Sequence, residues 1–166
     1  MVGEEDAILE VLEEMQSLTS EDLIGKGIGF SIKQGAVHAA VSVHRDEIVP
    51  NFRRKQLASG KLSQTKMPIG EFNEIYHDCV ASASLRVAGD VFQFVPIAEV
   101  YVTCAVEMLN PENGHMEETP ILSVRYVRET FENLNLSRLD PSQSLNSFVH
   151  HMVFSRTKGF SRTESL

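Results

Sequence analysis

Apolar residues recur along this chain at two spacings, and each spacing predicts a different element. Ile8, Val11, Leu12, Met15 and Leu18 follow one another at steps of three or four residues, the period of one helical face. An amphipathic helix is therefore expected over residues 4–18. Its opening acids, Glu4, Glu5 and Asp6, suit the positive end of a helix dipole. Ser20 is placed to cap a short following turn through Leu23 and Ile24.

From Gly27 the period changes to two. Ile28, Phe30 and Ile32 alternate with Gly29, Ser31 and Lys33, and Val37, Ala39, Val41 and Val43 alternate with His38, Ala40, Ser42 and His44. Alternation marks a strand with one covered face. Gln34-Gly35 lies between the two runs as a two-residue hairpin loop. That loop sets Lys33 opposite Ala36, Ile32 opposite Val37, Phe30 opposite Ala39 and Ile28 opposite Val41. A slip of one residue would turn the two apolar rows to opposite faces.

Residues 45–67, with Pro50, Gly60 and several Ser and Gln, read as a polar loop with a short helix near 52–58. Phe72, Tyr76, Cys79, Ala83, Val87 and Val91 then resume the helical period as far as Val95-Pro96. Gly89-Asp90 offers a hairpin within 83–95 instead, because glycine inside a helix costs about 1 kcal/mol against alanine. The unbroken period favours the helix. Alternation returns with Ala98, Val100, Val102, Cys104, Val106 and Met108 set against Glu99, Tyr101, Thr103 and Glu107. After a long turn at 110–118, Leu122, Val124 and Tyr126 alternate with Ser123, Arg125 and Val127. Asp140-Pro141 joins an N-cap acid to a proline suited to the first helical position. A last helix is expected there, burying Leu145, Phe148, Val149 and Met152, with residues 156–166 as a tail.

The expected fold is a single α+β domain in the order α-β-β-α-β-β-α. Two antiparallel hairpins form one sheet covered by helices, a two-layer sandwich. This order is similar to that of small acidic secretion chaperones, dimeric α+β proteins without enzymatic activity. The resemblance is one of element order, and it implies a role in binding other proteins.

A chain of 166 residues is long enough for one hydrophobic core. No apolar run approaches the roughly 20 residues that span a membrane, and the acidic start lacks the basic stretch of a secretory signal. Only Cys79 and Cys104 are present, which suits a reducing compartment. A cytoplasmic, bacterial protein without membrane attachment is expected. The net charge of −8 is unevenly placed, since residues 1–25 carry eight of the 23 acids and no base. Residues 52–66 reverse the sign, holding Arg53, Arg54, Lys55, Lys61 and Lys66 without an acid.

Candidate chemistry is sparse. His77-Asp78-Cys79 sets a base, an acid and a thiol side by side, but adjacent helical residues fan apart by about 100°. Cys79 and Cys104 both sit on apolar rows. His38 and His44 share a strand face at roughly 20 Å, too far to hold one metal ion. His150-His151 lacks the spacing of a metal-binding helix. Glu99 and Glu107 have no lysine beside them to complete a metal-dependent nuclease cluster, and Arg125 suits a cross-strand ion pair. Gly25, Gly27 and Gly29 precede a strand, whereas a phosphate loop precedes a helix. No catalytic residue, metal or cofactor is assigned.

Two kinds of interaction surface remain. Ile8, Val11, Leu12 and Met15 on the first helix, with Tyr101 and Arg125 on the outer sheet face, form the candidate protein-binding set. The expected function is a non-catalytic interaction or assembly module, an accessory subunit or chaperone-like adaptor, with a protein partner or its own copy. The first alternative is a nucleic-acid-binding accessory protein using Arg53, Arg54, Lys55, Lys61 and Lys66, since such cations track phosphates. The second is an enzyme whose residues, nominally His77, Cys79, Glu99 and His151, converge only in space.

Overall fold

The first hairpin forms in the register its apolar rows dictate. In the computed structural model, which describes residues 2–18, 27–50 and 52–166, β1 (Gly27–Lys33) pairs antiparallel with β2 (Ala36–Ser42), Lys33 opposite Ala36 and Ile28 opposite Val41. Gln34 and Gly35 have φ of 52° and 77°, the two positive values of a type I′ turn, whose twist matches that of the strands. The Ser20 cap and the glycine entry at 25–26 lie outside the described residues.

Before this hairpin runs α1 (Val2–Leu18); after it come a 3₁₀ turn (Asp46–Ile48), β3 (Phe52–Gln56), β4 (Leu62–Lys66), and the long helix α2 (Ile69–Phe94). Next are β5 (Glu99–Leu109), β6 (Met116–Val127), α3 (Arg128–Glu132), α4 (Pro141–Ser144), a 3₁₀ turn (Leu145–Ser147), β7 (Val149–Ser155) and β8 (Gly159–Ser161). Six strands form one sheet in the order β1-β2-β5-β6-β7-β8, and β3-β4 stands apart as a two-stranded ribbon. β2 and β5 run parallel, Val37 opposite Val100 and Val41 opposite Cys104. Such a pair needs a long crossover, and the ribbon and α2 supply it.

One face of the sheet carries the core. Val37, Ala39, Val41, Val100, Val102, Val124 and Tyr126 meet Val80, Ala83, Val87 and Val91 of α2. α2 is unbroken at Gly89, where an added Cβ would lie 3.3 Å from Cζ of Phe131. The glycine is there for the close approach of α3. α1 contributes Leu12, which is wholly buried, while Val11 stays 39% exposed. Ile8 and Leu9 flank Leu12 against the core, so the buried stripe is turned towards Leu9 and away from Val11.

Two polar arrangements, one buried and one part-buried, tie these elements together. The Tyr126 hydroxyl lies 2.7 Å from Oγ of Ser84 on α2, and both residues are fully buried. Arg128 donates to the carbonyls of Ile97 at 2.7 Å, Phe92 at 2.9 Å and Val95 at 2.5 Å. It thereby closes the C-terminal end of α2, where cations are favoured.

Three sequence expectations are corrected. Residues 52–66 are a β-ribbon, not an irregular loop with a helix at 52–58. The helix expected to bury Leu145 through Met152 ends at Ser144. Asp140 does cap it, accepting from the Ser142 and Gln143 backbone N–H groups, but the chain then extends as β7. There Met152 pairs with Leu122 and His150 with Val124. Leu145 and Phe148 are buried under either arrangement, whereas Val149 is exposed. The expected tail at 156–166 contains β8, paired with β7. Phe160 anchors it by edge contacts with Tyr76 and His77. The α-β-β-α-β-β-α order is thus interrupted by the β3-β4 ribbon before α2 and extended by β7 and β8, leaving a mixed α+β architecture with a six-stranded sheet.

Candidate interaction surfaces

The outer face of the sheet is a row of side chains that engage one another, although Nε of Arg125 is buried without a hydrogen-bond partner among the described residues. Across β2, β5 and β6 the register sets His38 beside Tyr101 and Tyr101 beside Arg125. The His38 and Tyr101 rings stack at 4.5 Å, inclined by 3°, and Arg125 pairs with Glu99. Burial, helped by Lys33, pulls the His38 imidazole below its ordinary pKa, so the stack is neutral near pH 7. One step along, Oγ1 of Thr103 lies 2.9 Å from Oγ of Ser123. The last residues of the chain fold over this point. Leu166 N–H donates to Ser123 Oγ at 2.9 Å, and Thr163 N–H donates to the Pro120 carbonyl. Tyr101 and Arg125, expected as partner-binding residues, are thus half-buried and engaged within the chain. On α1, Leu12 belongs to the core and Val11 is exposed, while the side chain of Met15 lies outside the described residues.

The nominal catalytic residues point to different places. His77 lies against Phe154 and Phe160, with Nε2 3.1 Å from Sδ of Met152. Burial lowers its pKa, although Asp78 pulls the other way. Asp78 turns towards α4 and accepts from Ser142 N–H at 3.3 Å. Cys79 faces a groove with Val43, Ile48 and Arg86, and burial, followed by the Asp78 charge, pushes its thiol up. Cys104 is in the core with its thiol pushed up to about 12 by burial. A reactive cysteine needs the opposite shift. Glu99 is held by Arg125, and His151 Nδ1 lies 3.2 Å from the Glu164 carbonyl on the outer face. Among the described residues no three His, Cys, Asp or Glu cluster so as to hold a metal ion.

A cleft of about 420 Å³ opens between the start of α2, the β5-β6 tip and the β7-β8 turn, floored by Tyr76, Met108 and Phe160 and rimmed by Arg45 and Lys158. Its apolar floor and mixed rim name no particular ligand.

The basic segment is displayed on the β3-β4 ribbon. Arg53 sits opposite Thr65, Arg54 opposite Gln64 and Lys55 opposite Ser63. The turn closes with Leu57 N–H donating to the Lys61 carbonyl, and Gly60 takes a φ of 82° there. Every described side chain of the ribbon is exposed except Ser63, which is half-buried. Leu62 is 70% exposed. The side chains of Arg53 and Lys55 lie outside the described residues.

β1 forms one edge of the six-stranded sheet. Its seven residues contain no proline, and the pairing with β2 runs without a bulge. Phe30 and Ile32 are only half-buried, while their β2 neighbours Ala39 and Val37 are 2% and 0% exposed. The opposite edge, β8, is three residues long, and the chain beyond it turns back onto β6. Alternation had identified the apolar face of β1. It carried no sign that β1 would be an edge, because that follows from β2 pairing with β5. No protein-family model, curated protein or solved structure matches this chain.

Proposed function

We propose that this protein is a non-catalytic assembly module that joins a protein partner by adding a strand to its sheet at β1. The observation that carries the reading is the half-covered apolar row on an edge that, among the described residues, no further strand pairs with and no bulge interrupts, although α1 packs against β1. Natural edges are ordinarily shortened, bulged, charged or covered, and here β8 is short while β1 is not. Extended chains bind such edges through main-chain hydrogen bonds, with alternate side chains giving specificity. The engagement of His77, Asp78, Glu99 and Cys104 in packing and ion pairs supports a structural use of those residues. Light scattering behind size exclusion should give a mass above the 18.5 kDa of one chain, either for the protein alone or for the complex drawn gently from its own cells. A lone monomer in both preparations would count decisively against the reading.

The ribbon favours a second activity, binding of nucleic acid. A two-stranded ribbon fits the major groove of a duplex, and this one bears five cations and no acid. If all five meet phosphates, log affinity should fall against log salt with a slope of about −4.5. Replacing Arg53, Arg54, Lys55, Lys61 and Lys66 by alanine should abolish binding. Lack of any complex with duplex DNA or RNA at low salt would end this reading.

A further inference from the structure

We infer that the strand added at β1 is β1 of a second copy, running antiparallel about a twofold axis at Phe30. The inference rests on the assembly reading above and supplies its partner.

Hydrogen-bond direction in β1 comes first. In a two-residue hairpin the residues flanking the turn form a closely bonded pair, and bonded and non-bonded pairs then alternate. Lys33 and Ala36 flank the turn here. Lys33, Ser31, Gly29 and Gly27 therefore direct their N–H and C=O groups to β2. Ile28, Phe30 and Ile32 direct theirs to the open side. Among the described residues no strand pairs with this side, so the edge presents a regular ladder of donors and acceptors, and the residues that bear it also supply the apolar row.

That row is complementary to itself. Laid antiparallel on its own copy about Phe30, the segment Gly27-Ile28-Gly29-Phe30-Ser31-Ile32-Lys33 sets Ile28 against Ile32 of the second copy and Phe30 against Phe30. Gly29 then meets Ser31. Lys33, the one charge in the strand, meets Gly27, so like charges never face each other. All seven residues find a partner, the ladder closes with about six hydrogen bonds, and both apolar rows stay on the core face. An aromatic pair on the axis adds contact where the monomer leaves Phe30 half-covered. Like any isologous contact, it uses one patch twice and closes at two subunits. Two six-stranded sheets become one continuous sheet, each protomer keeping its short β8 edge at the rim.

Amide exchange resolved by residue tests the pairing in the unaltered protein. Gly29, Ser31 and Lys33 bond to β2 and should be protected in any case. In the dimer Ile28, Phe30 and Ile32 should also be protected, exchanging about 100-fold more slowly than in dilute monomer. Phe30→Pro removes one outward N–H and no bond to β2, a substitution that edge strands tolerate. It should give a monomer with an unchanged far-UV spectrum, and Ile32→Lys should do the same. A dimer in which Ile28, Phe30 and Ile32 exchange freely overturns the pairing while leaving assembly through another surface. A wild-type chain that stays monomeric at millimolar concentration overturns the pairing, whatever other protein it binds. Should either variant fail to fold, the wild-type exchange pattern alone decides.

Discussion

Tyr126→Ala is expected to lower the free energy of unfolding by about 4 kcal/mol, within the range for emptying a large buried site. The ring is wholly enclosed, with its centroid 4.7 Å from that of Phe148 and 5.9 Å from that of Phe131. Removing it opens a cavity at the junction of β6, α2 and α3, and strips Ser84 of the hydroxyl 2.7 Å away. Tyr126→Phe separates the two effects. It keeps the ring and removes the hydrogen bond, and should cost about 1–2 kcal/mol. Burial pushes the Tyr126 phenol far up, so the folded state holds the proton that unfolded tyrosine releases near pH 10. The stability tied to that proton is complete below pH 10 and declines above it. Urea titrations of both variants check the magnitudes, and an alanine variant within about 1 kcal/mol of wild type would contradict the packing described.

The second large effect is expected at Arg128. Arg128→Met should cost about 3 kcal/mol, because three part-buried carbonyls at the end of α2 lose a charged donor together. For a chain of this size that is a fall in melting temperature of about 10 °C. Arg128→Lys should recover only part, since an ammonium cannot reproduce the planar fork that reaches Phe92, Val95 and Ile97 at once. The guanidinium carbon also lies 4.8 Å from the Phe92 ring centroid, a contact lysine would make less well. Full rescue by lysine would mean that charge near the helix end matters and the three bonds do not.

Neither residue stands out from its neighbours in the sequence. Tyr126 reads as one more member of an apolar row and Arg128 as a polar residue after a strand. What could be read was periodic: the register of β1 on β2, the apolar rows of β5 and β6, and the course of α2 through Gly89. What could not be read depends on partners distant in the chain. Leu145, Phe148 and Met152 satisfy a helical period, while His150, Met152 and Phe154 satisfy alternation. Met152 belongs to both patterns, and pairing with β6 decides for the strand. The β3-β4 ribbon has no apolar row to announce it. Among the candidate residues, the divergence of His77, Asp78 and Cys79 was legible from helix geometry alone. The edge position of β1 was not, because alternation assigns faces and is silent on the order of strands.

The parallel seam between β2 and β5 has a kinetic consequence. The β1-β2 and β5-β6 hairpins close locally, over two residues and over residues 110–115, and hairpins form in about 1–10 μs. The seam joins Val37 to Val100 and Ala39 to Val102, so it must wait for the whole crossover to be drawn in, and such non-local pairing is slow. During that interval β2 and β5 each present a bare strand edge with a fully apolar face. The chain is then most exposed to pairing with the wrong neighbour. Refolding yield should therefore fall with protein concentration more steeply than native stability alone would suggest.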